Sequence, residues 1–404
     1  MHVLISGAGI GGLAAALALL RRGIDVTVFE QAAALREVGA GVQISPNGTR
    51  VLEALGLGSR MRELGTATSG KEVRLWNTGQ TWRTMDLGAA TTAQYGAPYL
   101  TFHRADLHSM LLDAVTQQKP DAVRLGAKGV GFTQNGATVS LRLASGEEVS
   151  GDALVGADGV HSTIRQQLFG SDRPVFTGCM AWRGLIPEDA LPETINRTGG
   201  VSWLGPTAHI LTYPVRQGKL LNFIGMVDRD DWRVESWSAA GSVDECAADF
   251  VGWHDDVQRM VRGIGIPFKW ALIVREALPR WSIGRVTLLG DACHSTLPFL
   301  GQGANMSIED GYVLADCVAE ARDDSAAAFA RYEDLRKERT KKIVDMAAAQ
   351  TGKVHNPALA VPKQAEEHIA AHWTRQHVGD RYDWIYRYDA TAAARAPVES
   401  SLAL

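Results

Sequence analysis

Val3-Leu4-Ile5-Ser6-Gly7-Ala8-Gly9-Ile10-Gly11-Gly12 opens the chain and decides its fold. The apolar residues predict a buried strand, and the glycines predict a tight turn that leads directly into a helix. Gly7 permits the turn, Gly9 leaves no side chain where the backbone meets a phosphate, and Gly12 lets the helix pack close to the strand. The N-terminus of that helix offers free N–H groups and a positive dipole end to an anion. The segment therefore predicts a pyrophosphate site.

A second strand and a terminal acid extend this unit. The helix is predicted from about residue 11 to residue 22, and Gly23 provides a good stop at its C-terminus. The strand Asp25-Val26-Thr27-Val28-Phe29-Glu30 follows. The Glu30 carboxylate can accept both hydroxyls of an adenosine ribose, and an acid here favours a 2′-hydroxyl over a 2′-phosphate. Strand, helix, strand and acid in register predict dinucleotide binding, which the glycine pattern alone would indicate only weakly.

A distant part of the chain supplies the other half of the same site. Residues 285–292 read Arg-Val-Thr-Leu-Leu-Gly-Asp-Ala, and residues 298–303 read Pro-Phe-Leu-Gly-Gln-Gly. The first glycine turn can hold a pyrophosphate, and this later part can hold the ribityl chain and the flavin ring. Together they indicate FAD. No second glycine-rich strand–turn–helix unit follows, so NADH or NADPH is expected to bind transiently in a groove as the electron donor.

Length and composition are typical of a soluble enzyme with two lobes. The chain has 404 residues, of which 46% are hydrophobic and 21% charged, and its net charge of −4 does not favour nucleic acid as a partner. Its four cysteines have no paired spacing, so neither a metal site nor a disulfide framework is expected. No uncharged apolar run reaches about 18 residues, and the chain starts directly with a strand. We therefore expect a cytoplasmic protein without a transmembrane segment or signal peptide, and a homodimer only as the commonest default.

The residue pattern changes along the chain and predicts domains that are each built from separate stretches of sequence. Tryptophans and short alternating stretches in the middle predict antiparallel strands with hairpin turns such as Arg216-Gln217-Gly218. The predicted parts are an FAD-binding domain at 1–65, 101–172 and 280–330, a substrate-binding β domain at 66–100 and 173–279, a C-terminal helical region at 331–389, and a small polar tail at 390–404 that is open to disorder.

A third segment completes a resemblance to a known family. Residues 153–165 read Ala-Leu-Val-Gly-Ala-Asp-Gly-Val-His-Ser-Thr-Ile-Arg, a strand, turn and helix start in which Asp158 and Arg165 are expected to brace the loop. With the segments quoted above, the chain resembles, over nearly its whole length, the single-component flavoprotein aromatic hydroxylases typified by p-hydroxybenzoate hydroxylase. Residues 39–47, 103–107 and 383–389 are most similar to the branch of salicylate hydroxylase, 3-hydroxybenzoate 6-hydroxylase and 6-hydroxynicotinate 3-monooxygenase.

The resemblance implies both a fold and a reaction. The fold is α/β, a Rossmann-like FAD-binding lobe with an inserted antiparallel β-sheet substrate lobe and C-terminal helices. NAD(P)H would reduce FAD once substrate is bound, O2 would form a flavin C4a-hydroperoxide, and its distal oxygen would attack an electron-rich ring away from water. The implied substrate is a small hydroxylated aromatic or heteroaromatic carboxylate. Ring type, position of hydroxylation, any decarboxylation, and the choice between NADH and NADPH stay open.

Other functions remain as alternatives to this interpretation. One is an enzyme of the same fold, an epoxidase or hydroxylase, that acts on a larger secondary metabolite such as a polyketide or an indole. A halogenase is disfavoured because its tryptophan-containing signature is missing. A plain NAD-dependent dehydrogenase would have no use for the segments at 290 and 298. A non-catalytic flavin-binding regulator would be yellow but would not respond to phenolic acids.

The resemblance also assigns FAD contacts to individual residues. Asp291 would accept a hydrogen bond from the ribityl chain, while the N–H groups of the helix start at 303–305 would stabilise negative charge on the reduced ring. Arg104 is expected near the pyrophosphate or ribityl chain, unless it is a surface cation. The remaining expected FAD contacts are Arg36 near the adenosine, Val130 at the adenine, Val42, and the helix-start residues Gly303, Ala304 and Asn305.

His209 and Tyr213 are the predicted catalytic pair. They are four residues apart on a predicted strand, so their side chains point to the same face. We expect His209 to accept or orient the proton of a substrate hydroxyl and Tyr213 to hydrogen-bond the substrate. The alternative is a core histidine with a tyrosine bonded to backbone. Further candidates for the substrate pocket are Asn47, Arg183 as a partner for a carboxylate, His294, Pro298 and Gln302; Arg183 can equally be structural, and His294 a turn residue.

Overall fold

The computed structural model describes residues 1–34, 40–171, 174–229, 231, 239–321 and 324–393. The strands of this part of the chain are β1 (His2–Ser6), β2 (Asp25–Phe29), β3 (Gly41–Ile44), β4 (Thr66–Ala67), β5 (Gly70–Leu75), β6 (Thr81–Asp86), β7 (Leu100–His103), β8 (Val123–Arg124), β9 (Gly129–Gln134), β10 (Val139–Leu143), β11 (Glu148–Gly151), β12 (Ala153–Gly156), β13 (Val175–Pro187), β14 (Gly200–Leu204), β15 (Ala208–Val215), β16 (Leu220–Asp228), β17 (Ala239–Ala240), β18 (Phe268–Val274), β19 (Ser282–Ile283) and β20 (Val286–Leu288).

Helices alternate with these strands and then form the C-terminal part. The α-helices are α1 (Ile10–Leu20), α2 (Pro46–Ala54), α3 (Gly58–Leu64), α4 (Ala89–Tyr95), α5 (Arg104–Gln118), α6 (Thr163–Phe169), α7 (Val243–Ala248), α8 (Asp255–Arg262), α9 (Asp291–His294), α10 (Gly303–Ala321), α11 (Ser325–Ala348), α12 (Thr351–Val354), α13 (Pro362–His372), α14 (Arg375–Arg387) and α15 (Ala390–Ala393). Short 3₁₀ turns lie at Glu188–Ala190, Pro298–Leu300 and Pro357–Ala360.

The first large sheet is the Rossmann-like part of the fold. Its strand order is β19-β20-β12-β1-β2-β8, with β1 parallel to both β2 and β12. The chain leaves β1 for β2 on one side and reaches β12 on the other, so the order reverses at β1. Ligands of open α/β sheets bind at such a switch point, beyond the carboxyl ends of the strands. The glycine turn predicted from the sequence lies at this position.

The glycines of the first turn are required by close packing. Gly7 has a φ of 108°, and a Cβ there would lie 2.3 Å from the carbonyl oxygen of Ala157. A Cβ on Gly12 would lie 2.0 Å from the carbonyl oxygen of Gly7. Neither backbone oxygen can move without opening the turn, so the strand-to-helix connection depends on both glycines. The helix itself ends slightly earlier than predicted, at Leu20, and Gly23 with a φ of 74° closes the connection to β2.

The second large sheet forms the substrate-lobe wall. Its strand order is β17-β18-β13-β16-β15-β14-β5-β6, and its neighbours are antiparallel except for the β14–β5 pair. The predicted hairpin turn between β15 and β16 is confirmed: Arg216 and Gln217 have φ values of 51° and 57°, and Gly218 has 83°. One face of the sheet packs on an aromatic cluster that includes Trp182, Phe223 and Phe250. The opposite face is free to line a cavity.

The C-terminal helices cover that second face. The predicted tail is wrong for its first four residues, because α15 is helical and buries Ala390 and Ala393 against α2 and α10. The rest of the predicted tail, 394–404, lies outside the described residues. None of the described helices combines the length and apolar character that a bilayer crossing needs. The predicted fold class, an α/β lobe with an inserted antiparallel sheet and C-terminal helices, is confirmed.

Candidate active site

An open cleft lies at the switch point of the first sheet, and we call it the outer cleft. Its empty volume, including open solvent at its mouth, is about 1520 Å³. Three glycine-rich turns from distant parts of the chain form its walls, and Val42 and Arg104 contribute side chains from β3 and α5. The lining residues from those turns include Gly9, Gly11, Gly12, Ala157, Gly159, Gly290, Asp291, Gly301, Gly303 and Ala304. The outer cleft therefore brings together the segments that the sequence assigned to one dinucleotide.

Two helices begin at the outer cleft and give it an anion-binding character. Helix α1 starts after Gly9, which supplies no side-chain cap, and a Cβ built on Gly9 would meet nothing within 4 Å. Helix α10 starts at Gly303 on the other side. The first N–H groups of a helix have no partner within the helix, so both starts present donors and positive dipole ends to the cleft. The open space at Gly9 is where a pyrophosphate fits.

Glu30 lies beside the first turn, at the end of β2. Its Oε2 accepts a hydrogen bond from the Ala8 N–H at 2.9 Å, and its Oε1 accepts one from the Ala32 N–H at 2.9 Å. These bonds fix the carboxylate and leave lone pairs for further donors, such as ribose hydroxyls. Val130 is 38% exposed on β9, and its contact with adenine stays a prediction. Arg36 lies outside the described residues.

Asp291 lies at the opposite end of the cleft, at the start of α9. Its side chain is exposed to the open cleft, yet the surrounding protein removes it from bulk water. This desolvation raises the pKa of Asp291, while the charges of His294 and Arg104 act in the opposite direction. The carboxylate can accept a hydrogen bond from a hydroxyl group that is bound in the cleft. The position fits a ribityl chain.

The Asp158 loop is held by its own carboxylate. Asp158 accepts hydrogen bonds from the hydroxyl of Ser162, from the Thr163 N–H at 2.8 Å and from the Ile164 N–H at 3.3 Å. Ser162 caps helix α6 by accepting from the Arg165 N–H at 2.9 Å. The bracing role expected for Asp158 is confirmed. This loop then presents Gly159 to the outer cleft.

A second, more enclosed space adjoins the outer cleft, and we call it the inner cavity. It lies between the second sheet, the turn at Pro298–Leu300 and the C-terminal helices, and its empty volume, including open solvent at its mouth, is about 860 Å³. The two spaces share five lining residues: Gln43, Leu211, Tyr213, Pro298 and Gly301. A group bound at the Pro298 end of the outer cleft would therefore face a ligand in the inner cavity.

His209 and Tyr213 both line the inner cavity, as their spacing on β15 predicts. Tyr213 is buried, and the side chains of Gln43 and Asn222 lie near its hydroxyl. Burial raises the pKa of Tyr213 despite these polar neighbours and the nearby charges of Arg183 and Arg104. Tyr213 is therefore a neutral phenol that can donate or accept a hydrogen bond at the wall shared by both spaces.

His209 is the first member of a chain of three side chains that leads out of the inner cavity. Its Nδ1 lies 2.6 Å from Nε2 of His355, and Nδ1 of His355 lies 2.6 Å from Oδ1 of Asp228. The Asp228 carboxylate can only accept, so it orients the whole chain. His355 donates from Nδ1 to Asp228 and accepts at Nε2 from His209 Nδ1–H. This arrangement leaves His209 Nε2 as a proton acceptor.

The surroundings keep His209 neutral. Burial and the neighbouring His355 hold the pKa of His209 well below its ordinary value. Asp228, at the other end of the chain, is 45% exposed. A proton taken up at Nε2 of His209 would consequently be unfavourable on that ring and could pass along the two hydrogen bonds to solvent.

Cys179 lies beside the end of this chain and completes a group of metal-ligand type. Its Sγ and atoms of Asp228 and His355 all lie within 4.8 Å of one another. Burial raises the pKa of the Cys179 thiol to about 12, and Asp228 adds to this effect. A metal would need the thiolate and the His355 nitrogen that already bonds Asp228. The contacts thus describe a hydrogen-bond chain rather than a metal centre.

Three residues predicted for the substrate pocket form hydrogen bonds or close polar contacts with other side chains. Asn47 is fully buried, and its amide donates to Glu309 at 2.6 Å and to Gln302 at 3.1 Å. His294 lies 2.5 Å from Asp310 and lines a separate cavity beside α11, and its assignment to the substrate pocket stays a prediction. The turn after Asp291 points its ring towards α11. Gln302 lines the outer cleft and donates to Ser45 Oγ at 3.0 Å.

Arg183 and Pro298 have different positions in this arrangement. Arg183 projects from β13 into the outer cleft, with its guanidinium 5.6 Å from the ring centroid of Trp270. Its pairing with a substrate carboxylate stays a prediction. Pro298 lines both spaces, and its contact with substrate also stays a prediction. The side chain of Asn305 bonds Ser45 N and the carbonyl oxygens of Gln43 and Gly301, so only its backbone is left for the cleft.

The sequence did not predict a buried charge cluster that supports α10, which we call the Arg336 network. Arg336 is fully buried and pairs with Glu309 at 2.6 Å and with Asp310 at 2.7 Å. Arg339 joins Glu309 at 2.9 Å. Burial alone would raise the pKa of Asp310, but His294 and Arg336 hold it below its ordinary value. The available signal was the adjacent acidic pair Glu309-Asp310 in the middle of a largely buried helix, because two buried carboxylates need cations from elsewhere.

Known proteins place this architecture in a family. The family described as FAD binding domain matches residues 1–347. Fold, glycine turns and the two adjoining spaces define the class as that of the FAD-dependent aromatic hydroxylases. The chain belongs to this FAD-binding family, and it is an FAD-dependent monooxygenase. The resemblance noted in the sequence is confirmed.

The chain is similar to known monooxygenases and to a solved structure over most of its length. The chain is 37% identical to the 3-amino-4-hydroxybenzoate 2-monooxygenase PtnB3 of Streptomyces platensis, over 99% of this chain and 98% of that one. It is 36% identical to the 6-hydroxynicotinate 3-monooxygenase of Pseudomonas fluorescens, over 85% and 89%. A substrate complex of salicylate hydroxylase has a TM-score of 0.81 and 26% identity, covering 98% of this chain and 97% of that one.

Proposed function

We propose that the protein uses NAD(P)H and O2 to hydroxylate a small hydroxylated aromatic or heteroaromatic carboxylate. The observation that carries the proposal is the wall shared by the outer cleft and the inner cavity at Tyr213, Pro298 and Gly301. FAD in the outer cleft, once reduced by NAD(P)H, would supply activated oxygen at this wall. The names of the relatives, 3-amino-4-hydroxybenzoate 2-monooxygenase and 6-hydroxynicotinate 3-monooxygenase, support a ring with both a hydroxyl and a carboxylate.

The FAD would be held by the residues of the outer cleft that fit it. The starts of α1 and α10 would meet the pyrophosphate and the ring edge, through backbone N–H groups. Glu30 would accept the ribose hydroxyls, and Asp291 the ribityl hydroxyls. Arg104, which lines the same cleft, would add a positive charge next to the phosphates.

His209 would serve as the proton acceptor for the substrate hydroxyl. A phenolate ring is more electron-rich than a phenol, so removal of this proton favours attack by oxygen. Nε2 of His209 would take the proton, the Nδ1 proton of His209 would move to His355 Nε2, and the Nδ1 proton of His355 would move to Asp228. Asp228 would release it to solvent. Tyr213 would hydrogen-bond the substrate from the shared wall.

The proposed function is tested by a substrate screen with the flavin-bound enzyme. The rates of NADH and NADPH consumption would be measured with hydroxylated benzoates and hydroxylated pyridine carboxylates. The amount of hydroxylated product would be compared with the amount of hydrogen peroxide formed. The expected result is that at least one such acid accelerates cofactor oxidation and gains one oxygen atom. Fast oxidation that only ever yields peroxide, or acceleration only by polyketides or indoles, would contradict the proposal and favour the alternative substrates.

A further inference from the structure

The inner cavity contains a cation that the proposed chemistry has not used. Lys71 projects from β5 into the cavity on the same sheet face as His209 and Tyr213. Its Nζ lies 4.3 Å from the ring centroid of Tyr382, 5.0 Å from that of Tyr99, and 3.4 Å from the hydroxyl of Tyr386. Lys71 is thus surrounded by aromatic rings.

No acidic side chain of the described residues pairs with Lys71. The neighbouring acid, Glu72, is already bonded to Arg74 at 2.8 Å. The charged group that most affects Lys71 is another cation, Arg381, which also lines the cavity. Arg381 donates to the carbonyl oxygen of His372 at 2.9 Å and stacks 4.9 Å from the ring centroid of Trp373. Neither contact neutralises its charge, so among the described residues two basic side chains meet at this end of the cavity without an acidic partner.

The missing negative charge affects the pKa of Lys71. Desolvation, followed by the charge of Arg381, lowers the pKa of Lys71 to about 7. Buried charges are normally paired, and an unpaired one becomes neutral instead. A bound anion between Lys71 and Arg381 would stabilise the charged form of Lys71 and add charge-assisted hydrogen bonds to both side chains.

The register of the second sheet relates this cationic end to the catalytic end. Lys71 pairs with Gly200 across the β5–β14 ladder, and the β14–β15 ladder continues this level towards Tyr213. Their Cα atoms are therefore separated by two strand spacings, about 9.6 Å. Gly200 has no side chain, and a Cβ built there would have the Cγ of Lys71 as its nearest neighbour, at 3.8 Å. The strand level between Lys71 and Tyr213 therefore carries no side chain of its own.

We propose that Lys71, assisted by Arg381, binds the carboxylate of the substrate, so that the ring lies over Gly200 with its hydroxyl towards Tyr213 and His209. This inference rests on the proposed function and adds the specificity determinant to it. It also replaces Arg183, which lines the outer cleft, as the partner of the carboxylate. The site would prefer an aromatic carboxylate to the matching amide, because only the carboxylate supplies the missing negative charge.

Binding of 4-hydroxybenzoate and 4-hydroxybenzamide to the flavin-bound enzyme tests the proposal without turnover. Changes in flavin absorbance would give the dissociation constants. In the wild type, the acid is expected to bind more tightly than the amide. Lys71→Met is expected to weaken binding of the acid by about ten- to hundred-fold and to leave binding of the amide nearly unchanged. Lys71→Arg should keep the preference for the acid. Lys363→Met, on the exposed face of α13, is the matched control and should change neither constant.

Each result separates this proposal from the proposed function. The Lys71 site is refuted if the wild type does not prefer the acid, if Lys71→Met weakens both compounds alike, or if Arg183→Met rather than Lys71→Met removes the preference. A wild type that prefers the acid through Lys71, but inserts no oxygen into any aromatic acid, would refute the proposed function and leave the carboxylate site standing.

Discussion

The outer cleft is lined largely by backbone at three glycine-rich turns, whereas the inner cavity is lined by side chains from many separate elements. In the cleft, Gly9, Gly12 and Gly303 act by having no side chain and by placing helix starts. In the cavity, Lys71 and His209 act through their functional groups. The comparison teaches that short local segments of sequence determine the cofactor site, whereas contacts between distant parts of the chain determine the substrate site. It also predicts that the two regions respond differently to substitution.

The largest effect is expected from the first glycine turn. Gly12→Ala should abolish FAD binding and destabilise the protein, because its Cβ would lie 2.0 Å from a backbone oxygen. Gly9→Ala should leave stability unchanged, since its Cβ meets nothing within 4 Å, but should still impair FAD binding by filling the phosphate space. Bound flavin per chain and thermal unfolding would be measured, with Gly136→Ala as control. Full FAD occupancy in both variants would contradict the cleft assignment.

The histidine chain of the inner cavity should affect chemistry and leave the cofactor in place. His209→Gln is expected to retain FAD and slow hydroxylation by about 10²–10⁴-fold, because the substrate hydroxyl loses its proton acceptor. His355→Gln should cause a smaller loss, since the amide can accept from His209 but cannot pass the proton on. Stopped-flow hydroxylation and the ratio of product to NAD(P)H consumed would report both effects.

A pH profile distinguishes proton transfer from a merely structural role of His355. In the His355→Gln variant, hydroxylation should speed up as the pH rises, because the substrate then ionises without help. The exposed His377→Gln serves as the control and should behave as the wild type. A wild-type rate and profile in His355→Gln would show that the chain of hydrogen bonds is not used.

The Arg336 network should govern stability rather than specificity. Arg336→Met leaves Glu309 and Asp310 buried without their shared cation, and such losses cost about 3–5 kcal/mol of the free energy of unfolding. The adjacent Lys337→Met is the matched control, because Lys337 is 30% exposed and should cost little. Chemical denaturation of both flavin-bound variants would measure the difference. Equal stabilities would mean that the buried pairs contribute nothing net.

The smallest effect expected is a pH dependence of carboxylate binding. The pKa of Lys71 is lowered to about 7 by desolvation and then by Arg381, so Lys71 is a cation below that pH and neutral above it. The affinity for 4-hydroxybenzoate should therefore be greatest below about pH 7 and fall by at most about ten-fold per pH unit above it. Calorimetric or absorbance titrations across this range would reveal the slope.

Groups facing Lys71 should not produce this slope themselves. Burial raises the pKa values of Tyr99, Tyr382 and Tyr386, so these phenols stay neutral, and Arg381 stays charged. Burial also keeps the more distant His209 neutral. The Lys71→Arg variant should give a flat profile. A slope that persists in this variant would assign the titration to another group.

The extent to which sequence predicted this molecule follows the same division between backbone and side chains. The turn at Gly7–Gly12 and the hairpin at Arg216–Gly218 were predicted because tight turns restrict which residues can occupy them. The pairing of His209 with Tyr213 on one face followed from the period of a strand. Local sequence rules were sufficient for these elements.

Other parts could not be predicted because they depend on distant contacts. His355 lies 146 positions from His209, and no local pattern relates them. Lys71 has no distinctive local sequence context, because its neighbours in the cavity, Tyr382 and Arg381, come from the distant helix α14. The direction of the His294 side chain could not be predicted either, because a short turn can direct a side chain to either side; in the structure the ring contacts Asp310.

Isotope labelling tests the central claim most directly: that flavin chemistry in the outer cleft acts on an aromatic acid in the inner cavity. The flavin-bound enzyme would be given NADH or NADPH, O2 labelled with heavy oxygen, and the acid that best accelerates cofactor oxidation. We predict that one labelled oxygen atom appears in the aromatic product, and that the yield of labelled product falls in His209→Gln at unchanged FAD content. A product whose new oxygen comes from water, or the absence of any oxygenated product, would contradict the account.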